Sequence, residues 1–205
     1  MATKPQVFII ETLDPDDEGN DRLEGKNIAH LLRLHGKMPI YHYVRTKKQF
    51  KHAVKQFGES HYRYLHISAH GNQDGMCTTN LDEISNVELS NILKPYLKGR
   101  RLFLSACSMV NIKMAGQIIE KTQCFSVLGP RKSIAFSDAV VFWQILYHLM
   151  FSENYDGMGT NKLKQTLNDI ESLLPVEIAY FSRSKKLKRG YTGDLLKKKK
   201  LPKRA

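Results

Sequence analysis

A histidine and a cysteine occupy matching positions at the ends of two apolar segments. His70 directly follows the run Tyr64–Ala69 and is itself followed by Gly71, and Cys107 directly follows the run Arg101–Ala106. Both runs are mostly apolar and too short for helices, which predicts strands of a buried parallel sheet. Parallel strands ~4.8 Å apart bring their carboxyl ends to one edge, so the two side chains are expected to meet across a substrate. A thiol beside an imidazole is a nucleophile with an acid–base partner.

The elements that must position this pair alternate along the chain. Strands are predicted over Val7–Ile10, Pro39–Val44, Tyr62–Ala69, a run from Arg101 that ends at Cys107, Phe125–Leu128 and Val176–Phe181. Helices are predicted over Lys26–His35, Lys47–Phe57, Val87–Leu97, Ile112–Lys121, Ala139–Met150 and Leu163–Leu174, with a loop or small hairpin over Asn72–Asn86. This alternation predicts an α/β class protein with right-handed βαβ units. We expect three layers, α/β/α, around a mostly parallel six-stranded sheet of order 2-1-3-4-5-6.

Length and composition indicate one soluble domain. The 205 residues, with 41% hydrophobic and 25% charged residues, are ordinary for a globular protein. The longest apolar run, Ala139–Phe151, is broken by Gln144 and His148 and is too short for a transmembrane segment. Met1–Pro5 leads into a strand rather than a signal-peptide core, and the three cysteines then predict free thiols in a cytoplasmic protein.

Basic residues are concentrated at one end of the chain. The net charge is +12, and eleven Lys and Arg against one acidic residue lie from Arg183 onward. We therefore expect a nearly neutral folded domain over residues 1–182 and a basic, flexible extension over 183–205. The extension is either a solubilising tail, a contact for a polyanion or an anionic membrane, or an autoprocessed or inhibitory segment.

The two motifs resemble those of a known class of enzymes. Leu65–Gly71 (LHISAHG) and Leu102–Cys107 (LFLSAC) are similar to the paired motifs of caspase-like cysteine peptidases of clan CD, and most of all to the CHAT-domain subgroup. The strand and turn Phe125–Pro130 and the aromatic helix Ala139–Met150 extend the resemblance, which covers roughly residues 5–182. The triplet Ser108–Val110 departs from the Glu-Thr-Gly that often follows the cysteine in CHAT proteins.

This resemblance implies a caspase-like fold and peptide-bond hydrolysis by a Cys–His dyad. Cys107 would attack the scissile carbonyl, and His70 would accept its proton and then protonate the leaving amine. The backbone N–H groups of Gly71 and Cys107 would form the oxyanion hole. The chain would be a cysteine endopeptidase acting on a protein or peptide, without cofactor or metal, in a regulated pathway of stress, defence or cell death. The alternative is a non-catalytic module of the same fold whose basic tail binds a polyanion or a regulatory partner.

The substrate pocket is less clearly marked in the sequence. The loop after the first strand is acidic and would favour a basic residue before the cut; its acidic residues are Asp14, Asp16, Asp17, Glu18 and Asp21. Arg22 resembles by position the caspase arginine that holds an aspartate, and the turn ending at Arg131 would form the other wall. Asp21, Arg22 and Arg131 are therefore candidate pocket residues, and a solvated charged loop is the alternative.

Other residues capable of chemistry fit their patterns less well. Structural roles are expected for Cys77, Cys124 and His66. Zinc ligation is open to four residues whose spacing matches no structural zinc pattern: His61, His66, His70 and Cys77. Two serines lack the Gly-x-Ser-x-Gly turn of a serine nucleophile: Ser105 and Ser108.

Overall fold

The computed structural model describes residues 3–152 and 157–195. Its strands are β1 (Lys4–Thr12), β2 (Ile40–Tyr43), β3 (Tyr62–Ala69), β4 (Gly75–Cys77), β5 (Glu83–Ser85), β6 (Arg101–Ser105), β7 (Ser126–Pro130), β8 (Ile178–Arg183) and β9 (Tyr191–Leu195). Its helices are α1 (Pro15–Gly19), α2 (Glu24–Leu34), α3 (Lys47–Ser60), α4 (Asn86–Leu93), α5 (Ile112–Thr122), α6 (Phe136–Ser152) and α7 (Thr160–Leu173). None of the helices in the described ranges is long and apolar enough to cross a membrane.

One large sheet runs through the middle of the molecule. Its strand order is β2-β1-β3-β6-β7-β8-β9. The first five strands are parallel, β8 runs antiparallel to β7, and β9 runs antiparallel to β8. The predicted order of the first six strands is confirmed, and a seventh strand extends the sheet. The predicted small hairpin between β3 and α4 is confirmed as β4 and β5, which pair antiparallel.

The three layers follow from the alternation of apolar side chains along the strands. In β1, Phe8 and Ile10 pack on the side of α3, α4 and α5, while Val7 and Ile9 pack on the side of α2, α6 and α7. Helix α3 begins with a capping box, in which the Thr46 side chain and Gln49 satisfy each other's backbone N–H groups. The capping box therefore fixes the point at which α3 begins after β2.

The structure differs from the sequence prediction at the C-terminal side of the domain. The flexible segment was expected from Arg183, but Arg183 is the last residue of β8, and Tyr191–Leu195 pairs with that strand as β9. Tyr191 is buried, its ring lies 6.2 Å from that of Phe181, and it packs over Gly116 of α5. A few apolar contacts thus hold this segment against the domain, although its basic composition gives no sign of them. The rest of the predicted extension, 196–205, lies outside the described residues.

Candidate active site

The register of β3 and β6 sets His70 and Cys107 side by side. Ser68 of β3 is paired with Ser105 of β6, and the histidine and the cysteine each follow two residues later. Both side chains line one small cleft at the carboxyl edge of the sheet. The structure thus brings together the two residues that the sequence singled out.

Gly71 allows the two loops to approach each other closely. A Cβ at this position would lie 3.1 Å from Ala106 Cβ and from Met109 Sδ, and 3.0 Å from the Gly75 carbonyl oxygen. Only a residue without a side chain fits between the cysteine turn and the hairpin without displacing them. Among the described residues, the backbone N–H groups of Gly71 and Cys107 have no protein acceptor.

The Cys107 thiol faces a loop that precedes α6. Its sulfur lies 3.7 Å from the Ile134 carbonyl oxygen and 3.8 Å from Ser133 Oγ. The described part of the chain contains no hydrogen bond between Cys107 Sγ and His70.

A carboxylate orients the His70 ring. His70 Nε2 lies 2.7 Å from Asp17 Oδ2 and 3.3 Å from Asp14 Oδ2. Because a carboxylate only accepts, Nε2 carries a proton, which leaves Nδ1 as the other exchangeable nitrogen. Asp14 caps the short helix α1 by accepting the Asp17 N–H at 2.8 Å, so α1 places both carboxylates at the edge of the sheet.

Arg22 supports this arrangement from the outside. Its guanidinium donates to Asp17 Oδ1 at 2.8 Å. Burial by itself would raise the pKa of Asp17, but the hydrogen bonds and positive charges of Arg22 and His70 outweigh burial and lower the pKa. Asp17 therefore remains an anion beside the imidazole.

The cleft that contains both residues has a charged floor. It encloses about 100 Å³, and we call it the cysteine-side cleft. Its other lining residues are Leu13, Glu24, Ser68, Ala69, Ser105, Ala106, Ile134, Phe136 and Ala139. Glu24, the first residue of α2, is the single acidic side chain among these lining residues and is almost fully buried. A carboxylate thus lies at the bottom of an otherwise mostly apolar pocket.

Ser105 and His66 hold Glu24 in place. Its Oε2 accepts a hydrogen bond from Ser105 Oγ at 3.0 Å, and its Oε1 lies 3.4 Å from His66 Nε2. His66 Nδ1 lies 3.0 Å from the Tyr147 hydroxyl, so a neutral imidazole satisfies both of its neighbours. Among the described residues no Lys or Arg forms an ion pair with Glu24.

A second buried carboxylate anchors the start of α2. Glu11 accepts hydrogen bonds from the Gly25 N–H at 2.7 Å and from the Tyr41 hydroxyl at 2.8 Å. Burial, and to a smaller extent the charge of Glu24, raises the pKa of Glu11 to about 7 against these hydrogen bonds. Glu11 fixes the helix end that carries Glu24 into the cleft.

His70 also lines a second, larger groove. It encloses about 630 Å³ and is formed by Gly71, Asn72, the β4–β5 hairpin and the start of α4. We call it the hairpin-side groove. His70 lines both this groove and the cysteine-side cleft.

The predicted pocket residues Asp21, Arg22 and Arg131 line neither of these two cavities, and their role stays a prediction. Asp21 pairs with Lys26 on the surface, and Arg22 acts on the site only through Asp17. Sequence reasoning missed Glu24 as a site residue, although a polar residue at the start of the helix after β1 must lie at the carboxyl edge of a parallel sheet.

The other candidate ligands and nucleophiles are dispersed. Within the described ranges, one group of three residues could hold a metal ion: the ligand atoms of Asp14, Asp17 and His70 lie within 4.8 Å of one another. Cys124 is buried, and burial raises its pKa to about 12. Burial also raises the pKa of Cys77, which lines the hairpin-side groove.

Comparison with solved structures identifies the fold. The chain is similar to a secreted C11 cysteine protease from Bacteroides thetaiotaomicron, "iotapain", with a TM-score of 0.60 and 11% identity over 89% of this chain and 67% of that one. It is also similar to the Arg-specific cysteine proteinase gingipain R, with a TM-score of 0.53 and 12% identity over 80% of this chain and 41% of that one. A complex of the pro- and mature domains of RgpB from Porphyromonas gingivalis gives a TM-score of 0.51 and 14% identity, over 82% and 44% of the two chains.

These similarities define the architecture as a caspase-like α/β fold. No protein-family model matches the sequence, and no curated protein does. The fold expected from the two motifs is confirmed, with the additional strand β9. The assignment to the CHAT subgroup stays a prediction.

Proposed function

We propose that the chain is a cysteine endopeptidase that cleaves a protein or peptide through Cys107 and His70. The observation that carries this proposal is the juxtaposition of the two residues at the ends of paired strands, in one cleft, with the imidazole bound to Asp17. Solved cysteine proteases of the same fold support it.

The chemistry follows from the atoms that are free to react. The Cys107 sulfur forms a bond to the scissile carbonyl carbon as its proton passes to His70 Nδ1. The carbon–nitrogen bond then breaks, and the same proton leaves with the amine. Water attacks the thioester, the carbon–sulfur bond breaks, and the acid product leaves with the thiol restored. Acid–base assistance of this kind contributes roughly 10²–10⁴-fold to the rate.

The two unpaired backbone donors complete the site. The N–H groups of Gly71 and Cys107 would stabilise the negative oxygen of the tetrahedral intermediate. Asp17 acts as a positioning residue, because its hydrogen bond to Nε2 fixes the ring and stabilises the imidazolium.

The floor of the cleft favours a basic residue before the cut. Glu24 is a buried carboxylate without a Lys or Arg partner among the described residues, and a substrate cation in the cysteine-side cleft would provide one. A charge-assisted hydrogen bond in a site of low dielectric is stronger than the same bond in water. One protease of this fold, gingipain R, is Arg-specific, which agrees with a basic preference.

Covalent labelling tests the proposal. A peptidyl ketone electrophile with arginine at the position before the cut should modify Cys107, as located by mass spectrometry of the digested protein. A matched probe with glutamate at that position should react much more slowly, and Glu24→Gln should reduce labelling by the arginine probe. The proposal is wrong if Cys107 stays unmodified, or if His70→Ala reacts as fast as the natural chain. The non-catalytic alternative predicts that outcome.

A further inference from the structure

The hairpin-side groove and the cysteine-side cleft differ in which residue of the dyad lines them. Cys107 lines the cleft and is not among the residues of the groove, whereas His70 lines both. Met76 and Ile84 of the groove pack with the core on the α3–α5 side. The cleft is lined from both cores, by Ala69 and Ala106 on the α3–α5 side and by Ala139 on the side of α2, α6 and α7.

We propose that the hairpin-side groove holds the substrate segment that follows the scissile bond and selects Lys or Arg there. This inference rests on the proposed function. During acylation the carbonyl carbon binds the sulfur of Cys107, so the residues before the cut lie with the cysteine in its cleft. The leaving nitrogen must receive a proton from His70. Because His70 lines both cavities and Cys107 lines only the cleft, the chain attached to that nitrogen would continue past the imidazole into the hairpin-side groove.

The groove is built as a defined surface. The Asn72 side chain accepts hydrogen bonds from the N–H groups of Asp74 and Gly75 at 2.8 Å and 3.2 Å, and the Asn72 N–H donates to the Gly75 carbonyl at 2.9 Å. The Cys77 N–H donates to the His70 carbonyl at 3.2 Å. These bonds tie the hairpin to the residue that transfers the proton, so the groove keeps its position relative to the dyad.

Three acidic residues line the groove, and only one of them is paired with basic side chains among the described residues. Glu88 is paired with Lys47 and Lys51. Over the part of the chain that the structure describes, the exposed carboxylates of Asp74 and Glu83 have no hydrogen-bond or ion-pair partner. Opposite charges across such a surface mainly determine specificity and association rate. A substrate segment with positive charges satisfies both carboxylates, and one with negative charges is repelled.

Two internally quenched peptides test this selection. Both carry arginine before the cut; one has two lysines after it and the other has two glutamates. At low ionic strength the natural chain should cleave the lysine peptide with a kcat/KM about tenfold higher, a size typical of two exposed charge pairs. Adding salt should reduce the ratio, since exposed charges are screened.

Substitution locates the origin of the preference. In the double variant Asp74→Asn, Glu83→Gln the ratio should fall to about two or less. The matched control is the double variant Glu59→Gln, Glu120→Gln, which removes two exposed carboxylates at the ends of α3 and α5, far from both cavities. The control should keep the tenfold ratio.

Three results would overturn the inference. Equal cleavage of the two peptides by the natural chain shows that the groove does not select charge. A ratio that persists in the Asp74→Asn, Glu83→Gln variant places the selection elsewhere. If neither peptide is cleaved and the arginine probe leaves Cys107 unmodified, the proposed function fails together with this inference, and the labelling result separates that case from the other two.

Discussion

His66 and His70 lie four residues apart in the chain, and each is paired with a carboxylate. The two pairs differ in how deeply they are buried. His66 lies 3.4 Å from Glu24, with 0% and 2% of the side chains exposed. His70 lies 2.7 Å from Asp17, with 41% and 10% exposed. The first pair is buried between the sheet and α6, where the Trp143 ring lies 4.8 Å from the His66 ring and Tyr147 is a second partner of His66. The second pair is at the end of the strand and opens to two cavities.

The same residue types therefore have different roles in the two pairs. Packing on every side of His66 holds Glu24 in the cleft floor and leaves the imidazole no room to move or to meet a substrate. His70 has one nitrogen held by a fixed carboxylate, and a large part of its side chain stays exposed. Position along the strand, and not residue type, separates a structural histidine from a candidate catalytic one.

The largest expected effect is on cleavage when the exposed pair is broken. Cys107→Ala should abolish hydrolysis, and His70→Ala should reduce kcat/KM roughly 10²–10⁴-fold, since the proton transfer is lost. Thermal unfolding should change little in either variant, because both side chains are partly exposed. Undiminished turnover in Cys107→Ala, measured with the arginine-containing peptide, contradicts the assignment.

The next largest effect concerns the cysteines, which show the same contrast between edge and core. The pKa of Cys124 is raised to about 12 by burial, so its thiolate is about a thousandfold scarcer at neutral pH than that of an ordinary thiol. Limited iodoacetamide treatment with mass spectrometry should show Cys107 modified first and Cys124 last. Faster modification of Cys124 than of Cys107 would reverse the contrast.

Breaking the buried pair should affect stability rather than chemistry. His66→Ala leaves a cavity and removes partners from Glu24 and Tyr147, which should cost about 3 kcal/mol of unfolding free energy. His70→Ala should cost less than about 1 kcal/mol, because its side chain is 41% exposed. Denaturant unfolding compares the two variants, and His66→Gln serves if the alanine variant does not fold. Equal costs for His66→Ala and His70→Ala would remove the distinction between the pairs.

The buried Glu11 should also make stability depend on pH. The pKa of Glu11 is about 7 in the folded state, above its ordinary value of 4.5, so folding favours the protonated form. Its contribution is fully present below pH 4.5 and is lost as the pH rises through 7, by up to about 3 kcal/mol. Unfolding at pH 5 and pH 8 should show a smaller difference in Glu11→Gln than in the natural chain. An unchanged difference means that Glu11 does not titrate in this range.

The smallest effect is expected from the residue that orients His70. Asp17→Asn keeps a hydrogen-bond acceptor but loses the charge, and kcat should fall about tenfold with little change in KM. Asp17→Glu should recover part of that loss, and Asp169→Asn, an exposed change on α7, should have no effect. An increase in KM alone would indicate a role in substrate binding instead.

The sequence was sufficient for the parts of the molecule that depend on local pattern. Apolar runs ending at His70 and Cys107 predicted both strands, their order and their meeting at one edge, because parallel βαβ units permit few arrangements. Asp17 and Glu24 could not be assigned, since their roles depend on how α1 and α2 lie over the edge. Strand β9 was missed because its stability comes from Tyr191 packing on α5, a contact between distant parts of the chain.

The direction of β9 determines on which side of the sheet a fusion partner joined after it begins. The chain enters the sheet at Lys4, beside the start of β3, and leaves it at Leu195, which is level with Ala179 and, through it, with Gly129 near the end of β7. Anything fused before β1 therefore emerges at the edge opposite the dyad, and anything fused after β9 emerges on the dyad's own edge. A fusion joined before β1 would therefore leave the ends of the strands that carry both cavities free, whereas a linker joined after Leu195 would begin at those same ends, at the outermost strand of the sheet.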